Sequence, residues 1–455
     1  MRVRVKHLLA RLSGHPALSR LLRNASGLLV AQVIAVLLGA VQYPLTVRLL
    51  GLDGYGQLGL VVSWVAVISQ FVSIRLRETI VNYLTKYEAS NDTDGALAIV
   101  RLSYLIDTAI TIAFAVLVFT TAPVAATYVL RLPDAAPLIG LEGLHLLLTF
   151  TAGASTAIVL VFDRVRWLTV YQIAGTVLTF VLVVGVLLLD GSVAGYILAS
   201  AISAGLQTLI LFVKAQQLLQ HRFKQHWWGV SLSPLRAEQR LIFVLLFSMN
   251  LDAARKILLE NADVLVLGWF VGNTATVGLY KLAKQLAGYL SRLTVPIYNL
   301  VYPEVARLFA SDPPALWPFL GRLTRFMLLG LLGGGLALAL FAYPLIPLIF
   351  GAEFAPAIPL FLITAATNLW LVFIWAPGLL VTLGRARDLT IINLVSSGSM
   401  FLVALLLTPR WEALGAALAL NTHYILWTVF IGVYLIRLPG FDAQTVLRHL
   451  LPARP

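Results

Sequence analysis

The chain has no cysteine among its 455 residues. Disulfides, thiolate metal sites and cysteine nucleophiles are therefore excluded. Charge is also scarce. Asp, Glu, Lys and Arg make up 12% of the sequence, where a soluble domain carries about 25%. Acids are the scarcer sign, 20 against 33 Lys and Arg, which leaves a net charge of +13. No nucleotide-binding P-loop, HExxH zinc motif or GxSxG elbow occurs, so the chain does not use ATP itself and no enzyme is expected. No outer loop is long enough to hold a catalytic domain; the longest spans about 122–135.

What fills the sequence instead is apolar: 60% hydrophobic residues and a mean hydropathy of +0.90. A membrane-spanning helix needs about 20 apolar residues, and about twelve such runs occur. They lie at 24–48, 56–84, 97–121, 136–162, 167–189, 192–219, 238–271, 274–306, 318–349, 355–383, 387–408 and 411–437. Barrel strands would alternate over about ten residues; these runs are longer and continuous. The expected fold is an all-α integral membrane protein with about twelve transmembrane helices.

Charge sets the expected orientation. Arg2, Arg4, Lys6, Arg11, Arg20 and Arg23 precede the first run, and Lys86, Arg164, Arg222, Arg322, Arg385 and Arg437 fall on the same side. The opposite loops offer only Arg48, Arg131 and Arg410. The positive-inside rule then puts both termini in the cytoplasm. The positive balance reflects this topology and contact with anionic lipid, not nucleic acid. The first apolar run is too long for a signal-peptide core, so no cleavage is expected. Residues 5–23, with Leu8, Leu9 and Leu12 opposite basic residues, suit an interfacial helix.

The basic stretch 220–237, with Trp227 and Trp228, divides the runs evenly. The expected organisation is a cytoplasmic segment 1–23, an N-lobe 24–219, a linker 220–237, a C-lobe 238–437 and a cytoplasmic tail 438–455. Two glycine-punctuated turns at matching places, Leu50–Gly56 and Leu267–Tyr280, hint at parallel repeats related by a pseudo-two-fold axis.

The polar residues inside the apolar runs carry the functional argument. A cation at mid-bilayer costs roughly 2.5–3.5 kcal/mol on insertion scales. The seventh run holds Asp252, Arg255, Lys256, Glu260 and Asp263, all within about 140° on a helical wheel. The eighth holds Lys281, Lys284 and Arg292, within about 80°. A short turn joins the two runs, so the simplest packing aims both stripes into one central cavity suited to an anionic cargo. Two plainer readings stay open. Asp263, Lys281 and Lys284 lie near the outer turn, where side chains reach the interface. A structural ion-pair network is the other reading, although cations outnumber acids on these faces.

Arg75 and Arg77 lie near the cytoplasmic end of the second run, with Glu78 placed to pair with Arg75. Asp107 in the third run is a lone acid, open to proton carriage or to a hydrogen bond with Ser or Thr neighbours. His145 and His423 read as packed, hydrogen-bonded residues, and no pair has metal-ligand spacing. Gly330, Gly333, Gly334 and Gly335 suit close helix packing.

Three motifs resemble a known family. Arg48-Leu-Leu-Gly51-Leu-Asp-Gly-Tyr55-Gly56 resembles the signature after the first span of polysaccharide and O-antigen flippases (Wzx-like). Asp263-Val-Leu-Val-Leu-Gly268-Trp-Phe-Val-Gly272 with Val277-Gly278-Leu279-Tyr280-Lys281-Leu-Ala283 resembles their seventh-to-eighth-span signature, and Tyr302-Pro303-Glu304 their proline motif. These flippases belong to the multidrug/oligosaccharidyl-lipid/polysaccharide exporter superfamily. The resemblance implies two six-helix lobes around a central cavity. It also implies a flippase for undecaprenyl-pyrophosphate-linked oligosaccharide in the bacterial inner membrane, serving O-antigen, capsule or exopolysaccharide synthesis. On that reading Arg255, Lys256, Lys281, Lys284 and Arg292 bind pyrophosphate, and Arg75 or Arg77 helps at the entrance. Asp252, Glu260, Asp263 and Asp107 are the candidates for coupling to a proton or sodium gradient. No cofactor is expected; partners are membrane lipids and polymerase or other assembly proteins. The alternatives are a drug or small-solute exporter of the same fold and a membrane-embedded sugar transferase. The first run lacks the acid that multidrug exporters often carry there, and lipid II flippases usually have more spans.

Overall fold

A computed structural model describes the backbone of residues 16–70, 76–247, 258–438 and 441–450. Side chains are described within these ranges except at 16–29, 76–78, 245–247, 258, 290, 292–296, 299, 443, 447 and 449–450. The described residues are almost entirely helical and include no strand. Within lipid a backbone must satisfy its own hydrogen bonds, and helices do so inside one segment. Among the described residues, eight stretches are long and apolar enough to cross a membrane.

The helices follow most of the apolar runs, and the runs 136–162 and 355–383 are each divided. They are α1 Pro16–Gln70, α2 Leu76–Ala89, α3 Thr93–Val124, α4 Ala136–Leu147, α5 Ala152–Val161, α6 Val165–Leu189 and α7 Val193–Phe223. Beyond a pair of short 3-10 turns come α8 Gln239–Phe247, α9 Asp263–Val271, α10 Thr274–Ser311, α11 Pro313–Phe350 and α12 Ala357–Ala366. The last are α13 Ala376–Thr382, α14 Ala386–Arg437 and α15 Ala443–Leu450. An unbroken α14 of 52 residues would be about 78 Å long at 1.5 Å per residue. It is broken at Glu412 (φ 46°, ψ −127°), at the start of the expected run 411–437. Gly415 makes that turn compact, since a Cβ there would lie 2.6 Å from the Leu407 carbonyl carbon. α1 is broken in the same way at Gly51 (φ 66°, ψ −177°), where glycine has no Cβ to strain.

The chain divides into two compact units. The first comprises residues 1–49, 74–120 and 140–249. Its core packs Ile80 and Leu84 of α2, Leu97 and Ile99 of α3, Ile158 of α5 and Leu211 of α7. Residues 220–237 are folded onto this core. Val230 and Leu235 are buried, and the Trp227 ring stacks on Tyr104 with centroids 4.7 Å apart. Trp227 Nε1 donates to Gln216 Oε1 at 2.6 Å. The Arg101 guanidinium donates to the Val230 carbonyl.

The second unit comprises residues 50–73, 121–139 and 250–455. Along α10, Ala283, Ala287 and Ser291 present one face to α12 and the 3-10 stretch Thr367–Phe373. Asn368 donates to the Ala287 carbonyl at 3.2 Å and accepts from the Ser291 hydroxyl at 2.6 Å. α15 lies on α11, and Phe441 just before it packs edge-on against Trp317 at 5.3 Å. One expectation is corrected here. A Cβ at Gly330, Gly333, Gly334 or Gly335 would meet nothing within 4 Å, so no close helix crossing among the described residues accounts for these glycines.

Candidate functional site

A buried ion pair forms where α9 and α10 meet. Gly272 ends α9 in the left-handed conformation (φ 63°), its N–H bonding the Gly268 carbonyl. Asn273 caps α10 by accepting from the Thr276 N–H at 3.3 Å. This short turn sets the helices side by side. Lys284 Nζ then donates to both carboxylate oxygens of Asp263 at 2.7 Å.

The chain before α9 supplies the rest of the cage. Residues Leu258–Ala262 form a π-helical turn, a wider coil that is frequent at functional positions. Its Glu260 and Leu259 carbonyls accept from Lys284 Nζ at 2.9 Å and 3.2 Å. The Tyr280 hydroxyl donates to Asp263 Oδ2 and faces the Ala416 carbonyl of α14 at 3.5 Å. The Val264 N–H donates to Asp263 Oδ1 at 2.9 Å. Asp263 is wholly buried, while 19% of the Lys284 side chain remains exposed. A buried carboxylate is tolerated when it is paired and hydrogen-bonded in this way.

Lys281, one turn earlier on α10, reaches a different partner. Its Nζ donates to the Gly59 carbonyl of α1 at 3.0 Å. The lysine stem lies close over this helix, since a Cβ on Gly59 would sit 2.6 Å from Lys281 Cδ. The same seam holds the two glycine motifs. A Cβ on Gly56 would fall 1.8 Å from the Thr274 carbonyl oxygen, and one on Gly278 2.5 Å from the Leu52 carbonyl oxygen. The Thr274 hydroxyl also bonds Asp53. The two glycine-punctuated turns are thus halves of one backbone-on-backbone contact inside the second unit.

Of the predicted site residues, Asp263 and Lys284 meet here, and Lys281 lies nearby on α10 with its Nζ on the Gly59 carbonyl. Glu260 joins through its backbone carbonyl, and its side chain is exposed. Asp252, Arg255, Lys256 and Arg75 lie outside the described residues, as do the side chains of Arg77 and Arg292. Asp107 stands elsewhere, in the first unit. Its carboxylate accepts from the Ala154 N–H at 3.2 Å, in the first turn of α5, where helix N–H groups lack helical partners. Its partner is a backbone amide, not the Ser or Thr hydroxyl expected. His423 is buried with Nδ1 3.4 Å from the Ser397 hydroxyl, and His145 lies 3.5 Å from Glu142. Sequence reasoning missed Tyr280 and the two carbonyls. The spacing of Tyr280 and Lys284 along one helix face was the available signal for the tyrosine; a π turn has none so plain.

Comparison with known families decides the class. Residues 21–309 match the family described as polysaccharide biosynthesis protein. The chain belongs to that family. The flippase-like motifs around Gly51 and Asp263 fall within the matched region. No curated protein sequence matches the chain. Among solved structures, a multidrug resistance MATE family transporter of the MOP superfamily, inward-facing, superposes with a TM-score of 0.66 at 13% identity, covering 93% of this chain and 98% of its own. The lipid II flippase MurJ, inward closed, gives 0.64 at 12% identity over 93% and 89%. A MOP superfamily transporter from Pyrococcus furiosus gives 0.56 at 13% identity over 94% and 95%. At such identities the likeness is one of fold. This family member is a multi-pass helical membrane protein with the MATE and MurJ fold.

Proposed function

We propose that the protein flips an undecaprenyl-pyrophosphate-linked oligosaccharide across the bacterial cytoplasmic membrane, by alternating access of two six-helix lobes with both termini cytoplasmic. It serves O-antigen, capsule or exopolysaccharide synthesis, acts on no covalent bond, and works beside polymerase and other assembly proteins. The observation that carries the reading is the Lys284–Asp263 pair, in a chain of the polysaccharide biosynthesis family. A lysine paired with a wholly buried carboxylate is tolerated there only while the charges stay compensated. An anionic pyrophosphate offers Lys284 an exchange that keeps it neutralised.

In the structure the Lys284 ammonium is fully engaged by Asp263 and two carbonyls. On this proposal it turns to the pyrophosphate when cargo arrives, with Lys281, Arg255, Lys256 and Arg292 completing the anion site and Arg75 or Arg77 at its entrance. Asp263 is then left buried and unpaired, which is costly unless it takes up a cation. Proton or sodium uptake at that moment couples the gradient to transport; Asp252, Glu260 and Asp107 are further candidates.

The test is transport in proteoliposomes loaded with a fluorescent undecaprenyl-pyrophosphate oligosaccharide, under an imposed gradient. Wild type is expected to move the cargo, and Lys281→Ala/Lys284→Ala to lose that movement in the fraction that elutes as folded protein on size-exclusion chromatography. Movement unaffected by the double substitution would overturn the anion site. Transport of small cationic dyes but not of the lipid-linked glycan would favour a drug exporter, and a covalent product formed in detergent a sugar transferase.

A further inference from the structure

Residues 224–240 have a use that flipping does not need. The chain leaves α7 at Lys224, which takes the left-handed conformation (φ 54°), and turns along the end of the first unit. Four contacts fix its course. Arg222 pairs with Glu88 at 3.0 Å and Lys86 pairs with Glu238 at 2.5 Å. Arg101 and Trp227 hold the middle through Val230 and Gln216. This leaves Lys224, His226, Trp228, Arg236 and Arg240 exposed on a backbone that is already ordered.

The exposed chemistry is specific. Trp228 is 57% exposed, a large apolar ring held outside the core. It is not loose, since it stacks on His226 with centroids 4.2 Å apart and planes 14° from parallel. Lys224, Arg236 and Arg240 form no ion pair among the described residues. The acids at this end are Glu88, Asp92, Asp94, Asp163 and Glu238. Glu88 and Glu238 are taken up by Arg222 and Lys86, and Asp92 caps α3 through the Gly95 N–H at 2.9 Å. Asp94 and Asp163 are exposed outside residues 224–240, whose own unpaired charges, Lys224, Arg236 and Arg240, are positive.

Position completes the argument. α7 is an apolar helix long enough to cross a membrane, and this segment begins at its end. A tryptophan at such a place sits at headgroup level, and clustered Lys and Arg beside a spanning helix attract anionic lipid.

We infer that residues 224–240 form a preorganised surface for anionic phospholipid headgroups, with Trp228 at the bilayer interface and Lys224, Arg236 and Arg240 as the phosphate-facing cations. Because the segment is pinned to the core, lipid charge at this leaflet acts directly on the first unit.

The experiment uses the full chain in nanodiscs of mixed phosphatidylglycerol and phosphatidylcholine. Native mass spectrometry counts the lipids that remain bound on release. Wild type should retain phosphatidylglycerol preferentially. The variant Lys224→Gln/Arg236→Gln/Arg240→Gln should lose that preference, by about fivefold per charge removed. Arg131→Gln/Arg410→Gln, on the opposite loops, should keep it. Brominated phosphatidylglycerol chains should quench a fluorescence component that disappears in Trp228→Phe. The substituted residues are exposed, and thermal melting in detergent checks that each variant folds. Unchanged phosphatidylglycerol retention in the triple variant overturns the inference. So does a Trp228 component that brominated lipid leaves unquenched, or crosslinks from position 228 that go to an acidic protein instead of lipid. Loss of glycan transport with lipid retention intact would count against the proposed function alone.

Discussion

Lys86–Glu238 and Lys284–Asp263 are both lysine–carboxylate pairs joining separate segments of the chain. The first lies at the end of the first unit, with side chains 56% and 25% exposed. The second lies inside the second unit, at 19% and 0%. Water surrounds Lys86 and competes for both partners, so that pair contributes little beyond fixing where residues 220–238 run. Nothing replaces Lys284 at Asp263 except another cation, so the buried pair cannot open without a substitute charge. The same chemistry is a screened surface contact in one place and a buried charge that must stay compensated in the other, and burial makes the difference.

Breaking the buried pair on one side should give the largest effect. Asp263→Ala or Lys284→Ala leaves an uncompensated charge and should cost about 3–5 kcal/mol, read as a fall in melting temperature in detergent. The double substitution Asp263→Asn/Lys284→Met should recover much of that loss. A double variant as unstable as the sum of the singles would show that the two residues act independently.

Next comes the glycine seam that positions α10. Gly56→Ala or Gly278→Ala puts a Cβ into backbone, and overpacking of this kind costs about 1–3 kcal/mol. Melting checks it; an unchanged temperature would mean that the seam yields freely. Tyr280→Phe removes one donor from the Asp263 carboxylate and should cost about 1.5–3 kcal/mol, the range for a hydrogen bond to a charged group. Asp107→Ala removes the bond to the Ala154 N–H and should cost about 0.5–2 kcal/mol, as lost helix caps do.

The exposed pair should give the smallest effect. The hydrogen bond to Glu238 raises the Lys86 pKa above the ordinary lysine value. Its contribution is therefore present below that ordinary value and is lost only as pH rises through the folded-state one. Wild type and Lys86→Met should differ in melting by the same small amount across neutral pH and converge in strong alkali. Added salt should shrink the difference. A salt-independent difference would place this pair with the buried one.

Much of the fold was legible because lipid leaves few alternatives. A long apolar run must be a helix, so the runs at 167–189 and 192–219 correspond closely to α6 and α7. The break at Gly51 falls between runs for the same reason, whereas the one at Glu412 falls at the start of the run 411–437. The interior breaks were not legible. The turn at 148–151, which separates α4 from α5, and the 3-10 stretch Thr367–Phe373 lie inside sequence as apolar as its surroundings. In the candidate site, Asp263, Lys281 and Lys284 stood out as charges where lipid forbids them. Tyr280 did not, because its ring is unremarkable in a membrane helix and only its hydroxyl has a task. The glycine motifs were visible as a repeat, but their contact with each other was not, since spacing along a chain says nothing of what lies across from it.

The sequence by itself determined that this protein lives in a membrane, that its helices run where the apolar stretches run, and which charges must be answered by something other than lipid. Those follow from the free energy of moving groups out of water, which depends on residue type. Only the tertiary structure decided what answers them: a carboxylate and two π-turn carbonyls for Lys284, a glycine carbonyl for Lys281, a helix amide for Asp107. Hydrogen bonds act over about 3 Å. Which groups come that close is set by how the helices pack, not by their order along the chain.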